Sequence, residues 1–223
     1  MFASINSFLS GGNNNPPIGT SYMGGYFAGQ ILYPTGQKYN LVVSPKSSGQ
    51  SPSIKTWGPY PVSTGATSEY DGASNTTTLA ALGTVYECAY FCENLTINGY
   101  SDWYMPAKWE LEVLYYYLKA VSDANYTATS SGANPYAVAP EPVSTNYTSS
   151  LPSQTTVSTF QSGNSEAIIE AYPATYNSLF WSSTEYSSDK GWFQYMGTTQ
   201  PGKQQTENKA SQGYVRAIRR VAV

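Results

Sequence analysis

The stretch Asn98-Gly99-Tyr100-Ser101-Asp102-Trp103-Tyr104-Met105-Pro106-Ala107-Lys108-Trp109-Glu110-Leu111 constrains the fold of this chain more than any other. Asn-Gly tolerates positive φ at both positions and so turns the chain sharply. Pro106 has a φ suited to the first turn of a helix, where its missing N–H costs nothing. The chain therefore turns, lays down Trp103 as a buried aromatic, and enters a helix predicted over 106–121. Along it Trp109, Val113, Tyr116 and Tyr117 or Ala120 recur three or four apart, with Leu111, Leu114 and Leu118 on an adjacent stripe, a face broad enough to pack on a sheet. Upstream, Leu79, Leu82, Tyr86, Ala89 or Tyr90, and Glu93 keep the same period and predict one helix over about 76–95.

Only 11% of the 223 residues are charged, the formal net charge is −3, and there is no His. Histidine acid–base catalysis and histidine metal ligation are therefore excluded. The low charge argues against a nucleic-acid partner. What polarity remains is Ser, Thr, Asn, Gln and 21 Tyr, a neutral hydrogen-bonding surface that resembles a paratope. No apolar run is long enough for a spanning helix, and the N-terminus lacks the basic start and apolar core of a secretory signal, so the expectation is a chain made soluble in a cytosol, without membrane insertion. Cys88 and Cys92, four apart on the predicted first helix, read as small buried residues.

Taken in order, residues 1–20 read as an attachment peptide and linker, and 21–223 as one domain. Phe2, Ile5 and Leu9 or Phe8 share one side of a short helix ahead of a Gly/Asn/Pro cord, a pattern suited to docking into another chain. Residues 26–31 and 39–44 alternate as a hairpin, and 46–75 form a loop anchored by Trp57. Residues 122–178 are Ser/Thr/Asn/Tyr-rich and too long to be idle inside a domain, which makes them the natural place for binding. Residues 179–186 and 191–196 form a second hairpin, and the alternating strand 214–221 closes the chain, with one of Arg216, Arg219 and Arg220 expected to bridge Asp102 or Glu110.

Three of these pieces, Gly99 to Leu111, Phe180-Trp181-Ser182-Ser183-Thr184 and Tyr214-Val215-Arg216-Ala217-Ile218-Arg219-Arg220, stand in the order of a known pattern. Together with Gly24 to Ile31 and Tyr39 to Lys46 they resemble the DUF1566 family, also called the Lcl C-terminal domain, over about 24–223. The resemblance implies an α+β, C-type-lectin-like fold: two helices packed on an antiparallel sheet, paired N- and C-terminal strands, and long loops that display a ligand surface. It makes Trp103, Pro106, Glu110, Trp181 and Arg216 the fold signature. Family members occur in bacterial adhesins and phage virion proteins, so the resemblance implies a tail-fibre or tail-associated virion adhesin that binds a host-surface receptor, a glycan or a protein, and attaches to other virion proteins by its N-terminal peptide. A decoration or joining protein contacting neighbouring virion subunits is the alternative. Virion-attached fibres are often threefold symmetric, which leaves a homotrimer open. An enzyme of the formylglycine-generating type would need cysteines or metal ligands that this sequence does not place, and neither a cofactor nor a metal is assigned. For stacking on sugar rings the candidates are Trp57, Tyr186, Trp192 and Tyr195, with Tyr126, Tyr136, Tyr147, Tyr172 and Tyr176 from the long loop.

Overall fold

The structure is a computed structural model and describes residues 15–128, 131–169 and 178–223. Strands β1 (Ser21–Tyr22), β2 (Gly25–Leu32) and β3 (Lys38–Val43) are followed by the one-turn helix α1 (Lys46–Gly49) and by β4 (Lys55–Thr56). Helices α2 (Gly72–Ala81), α3 (Glu87–Glu93) and α4 (Lys108–Leu118) come next, then a 3-10 turn at Ser158–Phe160. Strands β5 (Leu179–Glu185), β6 (Lys190–Tyr195), β7 (Gln204–Asn208), β8 (Gln212–Gly213) and β9 (Ile218–Ala222) complete the chain.

The C-terminal strand closes on the N-terminal hairpin: the first sheet has the order β1-β2-β3-β9, with Tyr39 opposite Ala222 and Val43 opposite Ile218. The others are β4-β8 and β5-β6-β7. Backbone bonds tie the sheets together. Tyr104 and Ile218 exchange bonds of 2.8 and 2.9 Å, and Tyr214 bonds to Leu179 and Trp181 at 2.9 Å each.

Because side chains alternate across a strand, this layer buries both of its faces. Leu41, Val43, Phe180 and Ile218 pack with Leu111, Leu114 and Leu118 of α4 in one core. Val42, Trp181, Val215 and Ala217 pack with Leu79 of α2 and Cys88, Ala89 and Cys92 of α3 in the other. Trp103 and Trp181 are fully buried in that second core. At Gly29, φ is 122° and an added Cβ would meet the Tyr117 ring at 2.6 Å, so the bulge in β2 that lets α4 approach requires glycine.

The chain enters α4 through a turn and a buried run. Asn98 (φ 52°) and Gly99 (φ 83°) make the expected two-residue turn, with Ile97 and Tyr100 exchanging backbone bonds. Four residues that follow the turn, Trp103, Tyr104, Met105 and Pro106, are buried. The free N–H groups that begin a helix are then met from other segments: Lys108 N–H donates to Thr184 Oγ1 and Trp109 N–H to the Glu69 carbonyl. Glu110 reaches back to the Ala107 N–H at 2.8 Å, one half of a capping box whose other half an alanine cannot supply.

Several boundaries differ from the sequence reading. The predicted helix over 76–95 is two helices, because Gly83 takes φ 111° and stops α2 at Ala81 even though the apolar period continues past it. The helix predicted over 106–121 runs only from Lys108 to Leu118, with Ala107 still extended before it. The loop 46–75 contains α1, β4 and the start of α2, and the last strand begins at Ile218, although its alternation from Tyr214 holds.

Candidate functional site

At the start of α4, aromatic side chains from five segments form a row in which Tyr186 is exposed, Trp192, Tyr136, Tyr70 and Tyr39 are half-buried, and Trp109 and Tyr33 are buried beneath them. Tyr186, 60% exposed beyond the end of β5, sits edge-on to Trp192 of β6 with ring centres 5.5 Å apart. The Lys108 ammonium lies 4.1 Å from the centre of the Trp192 ring and 4.1 Å from that of Trp109, held between two indoles. Glu69 anchors both: one carboxylate oxygen is 3.1 Å from Lys108 Nζ, and the other accepts from Trp109 Nε1 at 3.0 Å. From Tyr136 the row continues to Tyr70 (4.7 Å), Tyr33 (4.9 Å) and Tyr39 (4.7 Å). Burial pushes the Tyr136 phenol above its ordinary pKa, and the neighbouring Glu69 carboxylate adds to the rise.

Charge in this band is paired internally. Arg220 lies over Tyr33 and Tyr39, bonds to the Tyr33 hydroxyl and meets Asp71 at 2.7 Å. Asp71 also caps α2 by accepting from Ser74 N–H at 2.9 Å. Behind the band, Tyr104 donates to Glu110 at 2.7 Å and Gly72 N–H donates to the same carboxylate at 3.0 Å. Burial lifts the Glu110 carboxyl to about 7, against the lowering pull of the Ala107 and Tyr104 hydrogen bonds.

Of the residues proposed from sequence, Tyr186, Trp192 and Tyr136 belong to this band. Trp57 does not: it is fully buried, donates from Nε1 to the Ser182 carbonyl at 2.8 Å and packs under Gly191, so it anchors its loop and offers no stacking face. Tyr147 is likewise buried against Tyr115. Tyr195 is half-buried against Phe193 at the far end of β6 from Trp192, and Tyr126 is half-buried beneath Lys203 near the same turn. Tyr172, Tyr176 and the docking residues Phe2, Ile5, Phe8 and Leu9 lie outside the described residues.

Lys108, Trp109, Glu69, Tyr70, Tyr33 and Tyr39 escaped the sequence reading. Lys108 and Trp109 read there as a helix start, and the partners of Glu69 lie 39 and 40 residues away. The expected arginine bridge is real: Arg219 grips Asp102 with two bonds of 2.7 and 2.8 Å. Arg216 is fully buried, bonded to the Ser44 carbonyl, Gln50 and Glu166. Cys88 and Cys92 are both buried, and burial pushes their thiols up, away from nucleophilic character. Among the described residues no group of three or more Cys, Asp or Glu is placed to hold a metal ion, and no helix is long and apolar enough to cross a membrane. Comparison with family models, with curated proteins and with solved structures finds no match for the chain.

Proposed function

We propose that this chain is a bacteriophage virion adhesin, a C-type-lectin-like module of the DUF1566 kind that performs no chemistry and binds a host-surface glycan. The aromatic band carries the reading. An indole or phenol offers an apolar face to the C–H face of a sugar ring while its polar edge stays wet, and such rings lose little conformational freedom on binding. Glu69 and the tyrosine hydroxyls supply hydrogen-bonding groups along the same surface. Closure of β9 on the N-terminal hairpin, with helices on both faces, supports the lectin-like fold.

The test is an array of bacterial surface glycans probed with the full chain and with Trp192→Ala and Tyr186→Ala. Loss of one stacking ring lowers affinity by at least about ten-fold, since central aromatic anchors dominate such contacts. Binding unchanged in both variants refutes the reading.

One observation favours the decoration alternative. Tyr60, Val62 and Tyr186 are exposed apolar side chains on two segments joined by the bond from Val62 N–H to the Ser188 carbonyl, a surface fit for a neighbouring subunit. Oxidative footprinting of Tyr60 and Tyr186 in the assembled particle decides between them: protection by neighbours selects the decoration role, labelling selects the adhesin.

A further inference from the structure

The band's charge pairs point to a particular class of saccharide. We infer that it selects a neutral, hydroxyl-rich sugar chain and that Glu69 turns anionic sugars away, an inference that rests on the saccharide reading above. The Glu69 side chain is 42% open to solvent, whereas that of its partner Lys108 is only 11% open between its two indoles. At the centre of the band a ligand therefore meets the acidic side chain of this pair more readily than the basic one. A carboxylate accepts and never donates, with about four lone-pair sites. Lys108 and Trp109 occupy one on each oxygen, which leaves acceptor capacity for sugar hydroxyls.

An anionic sugar meets a different situation. Its carboxylate, sulfate or phosphate would bring acceptor against acceptor at Glu69, and desolvating two like charges together opposes binding. Elsewhere in the band the cation is already engaged: Arg220 and Asp71 are equally open, at 24% each, and satisfy one another. At the hairpin tip, Asp189 and Lys190 are exposed side by side with opposite signs. Pairing of Lys108 with Glu69 and of Arg220 with Asp71 favours ligands that stack and donate hydrogen bonds, and it discriminates by a repulsive element as well as by an attractive one.

Calorimetric titration of the full chain with cellohexaose, maltohexaose and galactohexaose, and with hexagalacturonate, tests this at about 50 and about 300 mM NaCl. The expected result is binding of at least one neutral hexaose, unaffected by salt, with hexagalacturonate at least about ten-fold weaker. Glu69→Gln, which keeps the acceptor towards Trp109 but removes the charge, narrows that gap by raising the hexagalacturonate affinity. Hexagalacturonate bound as tightly as the neutral hexaoses overturns the inference and leaves the saccharide reading standing. Binding of none of the four also overturns it, and the glycan array then decides the saccharide reading separately. The wild-type comparison stands even where the Glu69 variant fails to fold.

Discussion

Replacing Glu110 by Gln removes a titration that the fold imposes on itself. The carboxylate is fully buried and takes three hydrogen bonds, from Ala107 N–H, Gly72 N–H and the Tyr104 hydroxyl. Its pKa rises from 4.5 to about 7, chiefly because burial penalises the charge. For a carboxyl raised on folding, the native state binds the proton more tightly than the unfolded chain. Stability from this group is therefore greatest below pH 4.5, falls as pH climbs towards 7, and is level above that. At about 1.4 kcal/mol for each pH unit across that window, the wild type loses about 3 kcal/mol from this one residue. The amide that replaces the carboxyl can keep the two backbone contacts through its carbonyl oxygen and donate to a Tyr104 hydroxyl rotated to accept, so the variant loses the titration and little packing. Urea unfolding of both proteins at a series of pH values measures it. The difference between them, rather than either curve alone, isolates Glu110 from Glu112 and Glu141, which burial also raises. The expected difference grows in favour of the variant by about 3 kcal/mol between pH 4.5 and pH 7. A constant difference across that range refutes the reasoning.

Two further perturbations test the scaffold. In Lys209→Met the fully buried ammonium no longer meets Glu185, and the stranded carboxylate costs about 3 kcal/mol in urea unfolding at neutral pH even though Thr64 and Gly65 still donate to it. Burial raises the Glu185 pKa, but the Lys209 and Thr64 hydrogen bonds outweigh it and the net shift is downward. The wild-type advantage should accordingly be full above pH 4.5 and fade as pH falls through the lowered value, an outcome that acid unfolding of both proteins checks. In Gly25→Ala the new Cβ would lie 2.2 Å from the Val43 carbonyl oxygen, backbone that cannot swing aside. Overpacking there should cost about 1–3 kcal/mol, read as a lower thermal midpoint.

The sequence displayed the parts of this fold whose causes are local. Asn98-Gly99 turns because both residues accept positive φ, the two hairpins alternate, and α4 carries its apolar stripe. The break at Gly83 was hidden because a helical period does not register a single glycine that leaves the period in step on either side. The band was hidden for a different reason. Trp57 and Trp192 are the same residue type in polar surroundings, and what separates a buried anchor from a half-exposed ring is how the chain packs around each, a fact of tertiary structure. Tyr147 shows the same limit: it lies in the polar loop expected to bind, yet the loop folds back and buries it on Tyr115.

Glu110 and the candidate site are mechanically one object. Glu110 holds the Tyr104 hydroxyl and the Gly72 N–H just after Asp71, while Asp71 holds Arg220, and Arg220 lies against the Tyr33 and Tyr39 rings at one end of the band. At the centre, the backbone of Glu69 is fixed by Trp109 N–H and its side chain by Lys108 and Trp109. Asn134, fully buried, donates to the Trp109 carbonyl and accepts from Tyr136 N–H, which ties the long loop to the same turn of α4. Tyr33, Tyr39 and Tyr136 are therefore placed by hydrogen bonds and ion pairs within the fold, and the entropy of arranging them is spent on folding. An irregular loop can present a rigid face on these terms, because its order comes from the start of one helix.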